Sequence, residues 1–106
     1  DPAVATKELV DEIFTIVNDR FRVIRILAMA KSAIRHNMAK DLPKIKIPVS
    51  LIWGKNDRVT PPEVALEFST LLPNAELNWI DHCGHAPMME RPLEFNHYLE
   101  KFLNRI

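Results

Sequence analysis

The stretch Pro48-Val-Ser-Leu-Ile-Trp-Gly54-Lys-Asn-Asp57-Arg-Val-Thr-Pro-Pro62 constrains this chain more than any other. Val49, Leu51 and Trp53 alternate with Ser50 and Ile52, so both faces are largely apolar. That is the pattern of a parallel strand covered on both sides. Gly54 ends the run, and Pro61 or Pro62 suits the first turn of a following helix. Asp57 then falls on a loop just past the carboxyl end of a buried strand. Open α/β sheets keep their ligands and their chemistry at that end.

A second unit of the same kind follows. Ala75 to Ile80 alternates as a strand, with Leu77 and Trp79 on one face and Glu76, Asn78 and Ile80 on the other. The loop Asp81-His-Cys-Gly-His85-Ala-Pro87 comes next, and then another helix. A helical segment between the two strands makes a βαβ unit with parallel strands. Adjacent strands lie about 4.8 Å apart, so loops leaving the same ends of neighbours can touch. Asp57 and His85 are expected to meet within hydrogen-bonding reach.

These residues carry a resemblance. Leu51-Ile-Trp-Gly-Lys-Asn-Asp57-Arg-Val-Thr-Pro-Pro62 is followed, 28 positions after the acid, by Cys83-Gly-His85-Ala-Pro-Met-Met-Glu-Arg-Pro92. The joint pattern resembles the C-terminal part of an α/β-hydrolase, over roughly Leu42 to Leu103. In that family the acid follows the strand seventh in order and the histidine the eighth. The resemblance implies an α/β fold, two parallel strands with flanking helices, preceded by cap-derived helices. It implies residues 1–40 as the end of a cap domain and residues 41–106 as the C-terminal βαβα part of the core. The implied site residues are Asp57 and His85, the acid and the base of a catalytic triad.

Composition narrows the partners. At 106 residues one domain with a modest core is expected. Fourteen basic residues balance fourteen acidic ones, so nothing calls for nucleic acid or an anionic membrane. Only two glycines occur, Gly54 and Gly84, which leaves no Gly-rich phosphate cradle. A single cysteine, Cys83, excludes an internal disulfide and fits a reducing compartment, hence a cytoplasmic location. The most apolar helical stretch, Val23 to Ala39, is interrupted by Arg25, Lys31 and Arg35 and is no membrane span.

Along the chain, Asp1-Pro2 opens in an extended form. Leu9, Ile13, Ile16 and Val17 recur at helical spacing from Thr6 to about Val17, with acids in the first turns. Asn18-Asp19 interrupts the pattern and can cap a second helix over Arg20 to Ala39, with a break near Ser32. Its stripe is Val23, Leu27, Ala30 and Ile34. Asp41 to Pro48 is a proline-punctuated connector and the domain boundary. A third helix is expected over Pro62 to Leu72 and a fourth over Leu93 to Asn104.

A histidine suits proton transfer near neutral pH. A carboxylate on its Nδ1 fixes the tautomer and stabilises the imidazolium, leaving Nε2 for a nucleophile's proton. The plainer alternatives are a loop histidine bonded to backbone and, for Asp57, a turn or helix cap before the double proline. The nucleophile is missing. Ser32 falls in a helix, Ser50 in a strand and Ser69 in a helix, none with flanking glycines, so the chain has no G-x-S-x-G elbow.

Cys83 reads as a small residue filling the turn before Gly84 rather than a substitute nucleophile. Asp81, His82, Cys83 and His85 are too crowded for a tetrahedral metal site without a second pair of ligands. His36 and His97 read as solvated surface, and Arg58 as an exposed loop residue. Glu90-Arg91-Pro92 is expected to tie the loop to the last helix by an ion pair or cap. The Phe21 to Met38 stripe reads as packing rather than the lining of a substrate cavity.

The reading that results is the C-terminal portion of a serine hydrolase acting on a small-molecule ester or related acyl or carbon–carbon bond, inactive alone. The cap-end segment Ala30 to Met38 leans toward hydrolases of ring-cleavage products. No metal or organic cofactor is implied. The rival reading is a non-catalytic, hydrolase-derived module for folding or partner binding. In either case the Val49–Trp53 edge lacks one neighbour, and self-association through it is expected, the alternative being that the helices before Asp41 fold back and cover it.

Overall fold

Two six-residue strands carry the fold in the computed structural model, which describes residues 1–35 and 37–106. Strand β1, Val49–Gly54, and strand β2, Ala75–Ile80, run parallel with Val49 opposite Ala75 and Gly54 opposite Ile80. Helix α3, Pro62–Leu71, makes the crossover between them. Pro61 stands at its N-cap and Pro62 at its first position, where the missing N–H costs nothing. Helix α4, Pro87–Glu90, and helix α5, Pro92–Leu103, follow β2.

The helices cover opposite faces of the strand pair. Trp53 packs against Phe68 of α3, ring centroids 6.2 Å apart. On the other face Arg105, just past α5, pairs with Glu76. Glu76 also accepts a hydrogen bond from the Ser50 hydroxyl at 3.2 Å. That accounts for a serine in an otherwise apolar strand. The buried hydrophobic residues are Leu42, Ala65, Leu72, Ile80 and Cys83, which lie around the crossover and the loop after β2. Leu42 belongs to a 3₁₀ turn, Leu42–Lys44, that packs on α3.

The β1 sequence is that of an interior strand, yet Val49 to Trp53 are only half-buried. The sheet among the described residues has two strands, so one edge of β1 is unpaired.

Residues Pro2–Met38 form a separate compact unit, and Asp1 groups with Ala39–Ile106. Within the smaller unit, helix α1, Lys7–Val17, begins at Thr6, whose hydroxyl accepts from the Leu9 N–H at 3.2 Å. Helix α2, Arg20–Arg35, begins at Asp19, whose Oδ1 accepts from the N–H groups of Phe21 and Arg22. Leu9, Ile16 and Val23 are half-buried, whereas Ile13, Phe14 and Leu27 are exposed.

Three expectations need correction. The extended start is a 3₁₀ turn, Pro2–Val4, because proline's fixed φ suits that geometry. The second helix stops at Arg35 and does not break at Ser32; a 3₁₀ turn, Met38–Lys40, takes the place of its expected last residues. The short α4 went unread between the loop and the last helix. The readings of His36 and of the Ile34 side chain lie outside the described residues.

Gly54 fixes how near the two loops come. A Cβ there would lie 2.2 Å from the Gly84 carbonyl oxygen and 2.4 Å from that of Cys83. Both obstacles are backbone and have no rotamer to escape into. Gly54→Ala is therefore expected to destabilise the fold by about 3 kcal/mol, the upper end for overpacking. Chemical denaturation measures it. A loss below about 0.5 kcal/mol would show that the loops separate freely.

Candidate active site

Backbone contacts sew the loops after β1 and β2 together. The Lys55 N–H donates to the Ile80 carbonyl at 3.0 Å and the Asn56 N–H to the Cys83 carbonyl at 2.8 Å. The Lys55 ammonium adds an ion pair with Asp81 at 2.6 Å. Asp57 follows directly, its N–H turned back on the Gly54 carbonyl at 3.2 Å.

The Asp57 carboxylate is buried, its side chain 4% exposed, and it accepts four hydrogen bonds. Oδ1 takes the N–H groups of Val59 at 2.9 Å and Thr60 at 3.0 Å. Oδ2 takes the Thr60 hydroxyl and the His85 Nδ1, both at 2.9 Å. The plain reading of Asp57 as a turn residue and the reading as the imidazole's partner thus describe one carboxylate. Burial pushes its pKa up, but bonds from His85, from the Thr60 backbone and hydroxyl, and from the Val59 N–H outweigh that. They bring it down to about 2.

His85 is presented differently. Its side chain is 55% exposed, with Nδ1 tied to Asp57. The loop that carries it turns through His82, whose φ of 48° is left-handed and costs about 1 kcal/mol in a residue with a side chain. It is then held by Glu90, whose Oε2 accepts from the Gly84 N–H at 2.6 Å. A Cβ on Gly84 would lie 3.1 Å from that carboxylate. Glu90 therefore anchors the loop from α4 by a bond to backbone, and Arg91 beside it stands at the N-cap of α5.

Asp57, Thr60 and His85 line a cavity of ≈140 Å³ whose other walls include Ile52, Trp53 and Met88. Cys83 is buried beside it, and burial, then the Glu90 carboxylate, push its thiol up to about 11. Such a thiol is protonated at neutral pH and is no nucleophile. Among the described residues no group of three or more His, Cys, Asp or Glu side chains is gathered as a metal set. His97 is exposed on α5 with its ring against Tyr98, and Arg58 is exposed beside Asp57.

None of the three serines stands at a strand-to-helix turn. Ser32 lies in α2, Ser50 in β1 bonded to Glu76, and Ser69 in α3 with its hydroxyl on the Leu66 carbonyl. No helix among the described residues is long and apolar enough to cross a membrane. Sequence reasoning passed over Thr60. The available signal was its place three residues after an acid, the spacing at which Asp side chains bond backbone ahead of a helix.

The depressed pKa of Asp57 has a stability consequence. A carboxyl that titrates lower when folded than unfolded contributes stability above its unfolded pKa, near 4, and loses it as pH falls through about 2. The contribution is roughly 2 kcal/mol. Unfolding free energies at pH 6 and pH 2.5 are expected to differ less in Asp57→Asn than in the unaltered chain. An equal acid sensitivity in both would mean that Asp57 is not held as described.

Comparison with known proteins identifies the family. Residues 21–92 match the family described as alpha/beta hydrolase fold. A 2-hydroxy-6-oxononadienedioate/2-hydroxy-6-oxononatrienedioate hydrolase from a Pseudomonas species is 31% identical over 98% of the chain. The monoacylglycerol lipase abhd6-B of Xenopus laevis is 29% identical over 99% of it. The chain spans 38% and 31% of the lengths of these two relatives. Among solved structures, MGS-MChE2, an alpha/beta hydrolase enzyme from a sediment metagenome of the Mar Chica lagoon, Morocco, is 62% identical with a TM-score of 0.84. That match covers 93% of this chain and 45% of the other. A serine hydrolase involved in carbazole degradation, at 24% identity and a TM-score of 0.82, shares the fold. The chain belongs to the alpha/beta hydrolase fold family.

Proposed function

We propose that this chain supplies the acid and the base of a serine hydrolase whose nucleophile lies on another part of the protein. One observation carries the reading: the 2.9 Å bond from a half-exposed imidazole to a buried carboxylate. With Nδ1 engaged, Nε2 is the nitrogen left to take a proton from a serine as it attacks a carbonyl carbon. Asp57 stabilises the imidazolium that forms, and His85 then returns the proton to the leaving group. The carboxylate itself stays ionised throughout, in keeping with its low pKa.

The relatives' names support a substrate class. An oxo-dienedioate and a monoacylglycerol both contain carbonyl carbons, in keeping with hydrolysis of an ester or a related acyl or carbon–carbon bond. Residues before Asp41 correspond in this reading to the end of a cap domain. The chain by itself is inactive, since an acid and a base without nucleophile and oxyanion donors have no covalent step to assist.

A chimera tests this. The part of MGS-MChE2 preceding its match is joined to this chain, and p-nitrophenyl ester hydrolysis is followed. The chain alone is expected to stay at background and the chimera to turn over. His85→Ala should lower kcat of the chimera by about 10⁴-fold or more. A chimera that keeps its rate without His85 sinks the reading, and hydrolysis by the isolated chain removes the need for a second part.

We propose further that the isolated chain self-associates. The free edge of β1 offers unpaired N–H and C=O groups, and the simplest closure is a two-fold dimer with two β1 edges antiparallel. Light scattering across a concentration series is expected to show a dimer. A strict monomer that unfolds cooperatively would exclude it.

A further inference from the structure

Asp57 and His85 are not alone in their contact. The Thr60 hydroxyl lies 2.9 Å from Asp57 Oδ2 and 3.2 Å from His85 Nδ1, while those two atoms are 2.9 Å from each other. Three polar atoms form a closed triangle. Thr60 is itself pinned at two further points: its N–H donates to Asp57 Oδ1 at 3.0 Å, and its carbonyl accepts the Trp53 indole N–H at 3.0 Å. Trp53 stands at the end of β1 and packs on α3, so the hydroxyl is referred to the sheet itself.

The protons of the triangle can be counted. The carboxylate brings none and the threonine brings one. If Nδ1 carries its proton, it donates to Oδ2, the hydroxyl also donates to Oδ2, and a threonine lone pair faces the N–H. Two sides of the triangle then carry a hydrogen bond, and on the third the Thr60 oxygen lies beside the N–H without opposing it. If Nδ1 is bare, the single hydroxyl proton serves one neighbour only. Nδ1 and Oδ2 then face each other at 2.9 Å with lone pairs on both, which is repulsive.

Geometry adds a second argument. An imidazole that is 55% exposed has few packing contacts to hold its plane. One hydrogen bond fixes a point on the ring and leaves it free to pivot; a second partner on the same nitrogen restricts the pivot. Among the described residues, Asp57 and Thr60 are the hydrogen-bonding partners of that ring.

We propose that Thr60 is a positioning residue, which holds His85 in the Nδ1–H tautomer and orients its ring through the shared contact with Asp57. The proposal rests on the reading of Asp57 and His85 as an acid–base pair, and it adds the group that keeps the pair aligned. Thr60 touches no reacting atom in this role. It acts through its two neighbours.

The test reads the tautomer directly, in the 106-residue chain and without turnover. Ring ¹⁵N shifts of His85 are measured at a pH where the ring is neutral, in the unaltered chain and in Thr60→Val, Thr60→Ala and Thr60→Ser. The unaltered chain is expected to show the Nδ1–H form. Valine keeps the shape and removes the hydroxyl, and the Nδ1–H to Nε2–H ratio should fall about fivefold, the weight of one ordinary hydrogen bond. Alanine should do the same if the valine variant does not fold, and serine should restore the original ratio. A merely structural role would lower stability in valine and alanine and leave the ratio unmoved. An unchanged ratio in both, or an Nε2–H ring in the unaltered chain, overturns the proposal. Because no catalysis is read, an inactive chimera would count against the hydrolase reading and leave the tautomer result standing.

Discussion

The close approach of two backbones at Gly54 is the constraint on which the rest of the structure depends. A strand that ends in any residue with a Cβ would drive the Cys83–Gly84 carbonyls away by more than an ångström, since the clash is with backbone at 2.2 to 2.4 Å. The Asn56 bond to the Cys83 carbonyl belongs to the same contact. Asp57 is one residue beyond that bond and His85 two beyond Cys83. Their meeting is thus a consequence of backbone packing, and the side chains need only short, well-defined rotamers to complete it. Gly84 makes the second close approach possible, by leaving room for the Glu90 carboxylate that grips its N–H.

Burial divides the work between the two side chains. An ionised carboxylate removed from water is costly unless donors replace its hydration. Asp57 has four, and they outweigh its desolvation far enough to bring its pKa to about 2. Two of those donors are backbone N–H groups of the turn that leads into α3. The same turn that satisfies the charge also starts the crossover helix. His85 stands on the other side of this arrangement, more than half exposed. In the proposed reading a base has to reach a proton on another group, which suits the exposure of His85 and the burial of Asp57.

Much of this was legible in the sequence, for reasons that can be named. Alternation in Val49 to Trp53 and in Ala75 to Ile80, with a helix between, dictates parallel strands in register and places Asp57 and His85 at the same ends. The resemblance to hydrolases and the bare spacing argument converge there. What stayed hidden depends on coordinates in three dimensions. Thr60 received no reading, because nothing in the chain shows that its hydroxyl faces two side chains at once. Glu90 is legible as a loop anchor but its partner, the Gly84 N–H, is not, since α4 is only four residues long and its periodicity carries no signal. Ser50 and Glu76 are 26 residues apart and only the strand pairing makes them neighbours.

The hydrogen bonds to Asp57 and to His85 described above come from residues 57–85, and the loop anchor adds residues 84–90. Among the described residues, the donors to the Asp57 carboxylate come from the two loops themselves. Asp57 and His85 are tied to each other directly and through Thr60, so their contact is local to these loops. What does depend on the rest of such an enzyme is the distance from His85 Nε2 to the attacking oxygen, where an error of about 1 Å is costly. The open edge of β1 is the natural place to set that distance. A strand paired parallel to β1 there would be held at about 4.8 Å in a fixed register, with its carboxyl end beside the loop that carries Asp57.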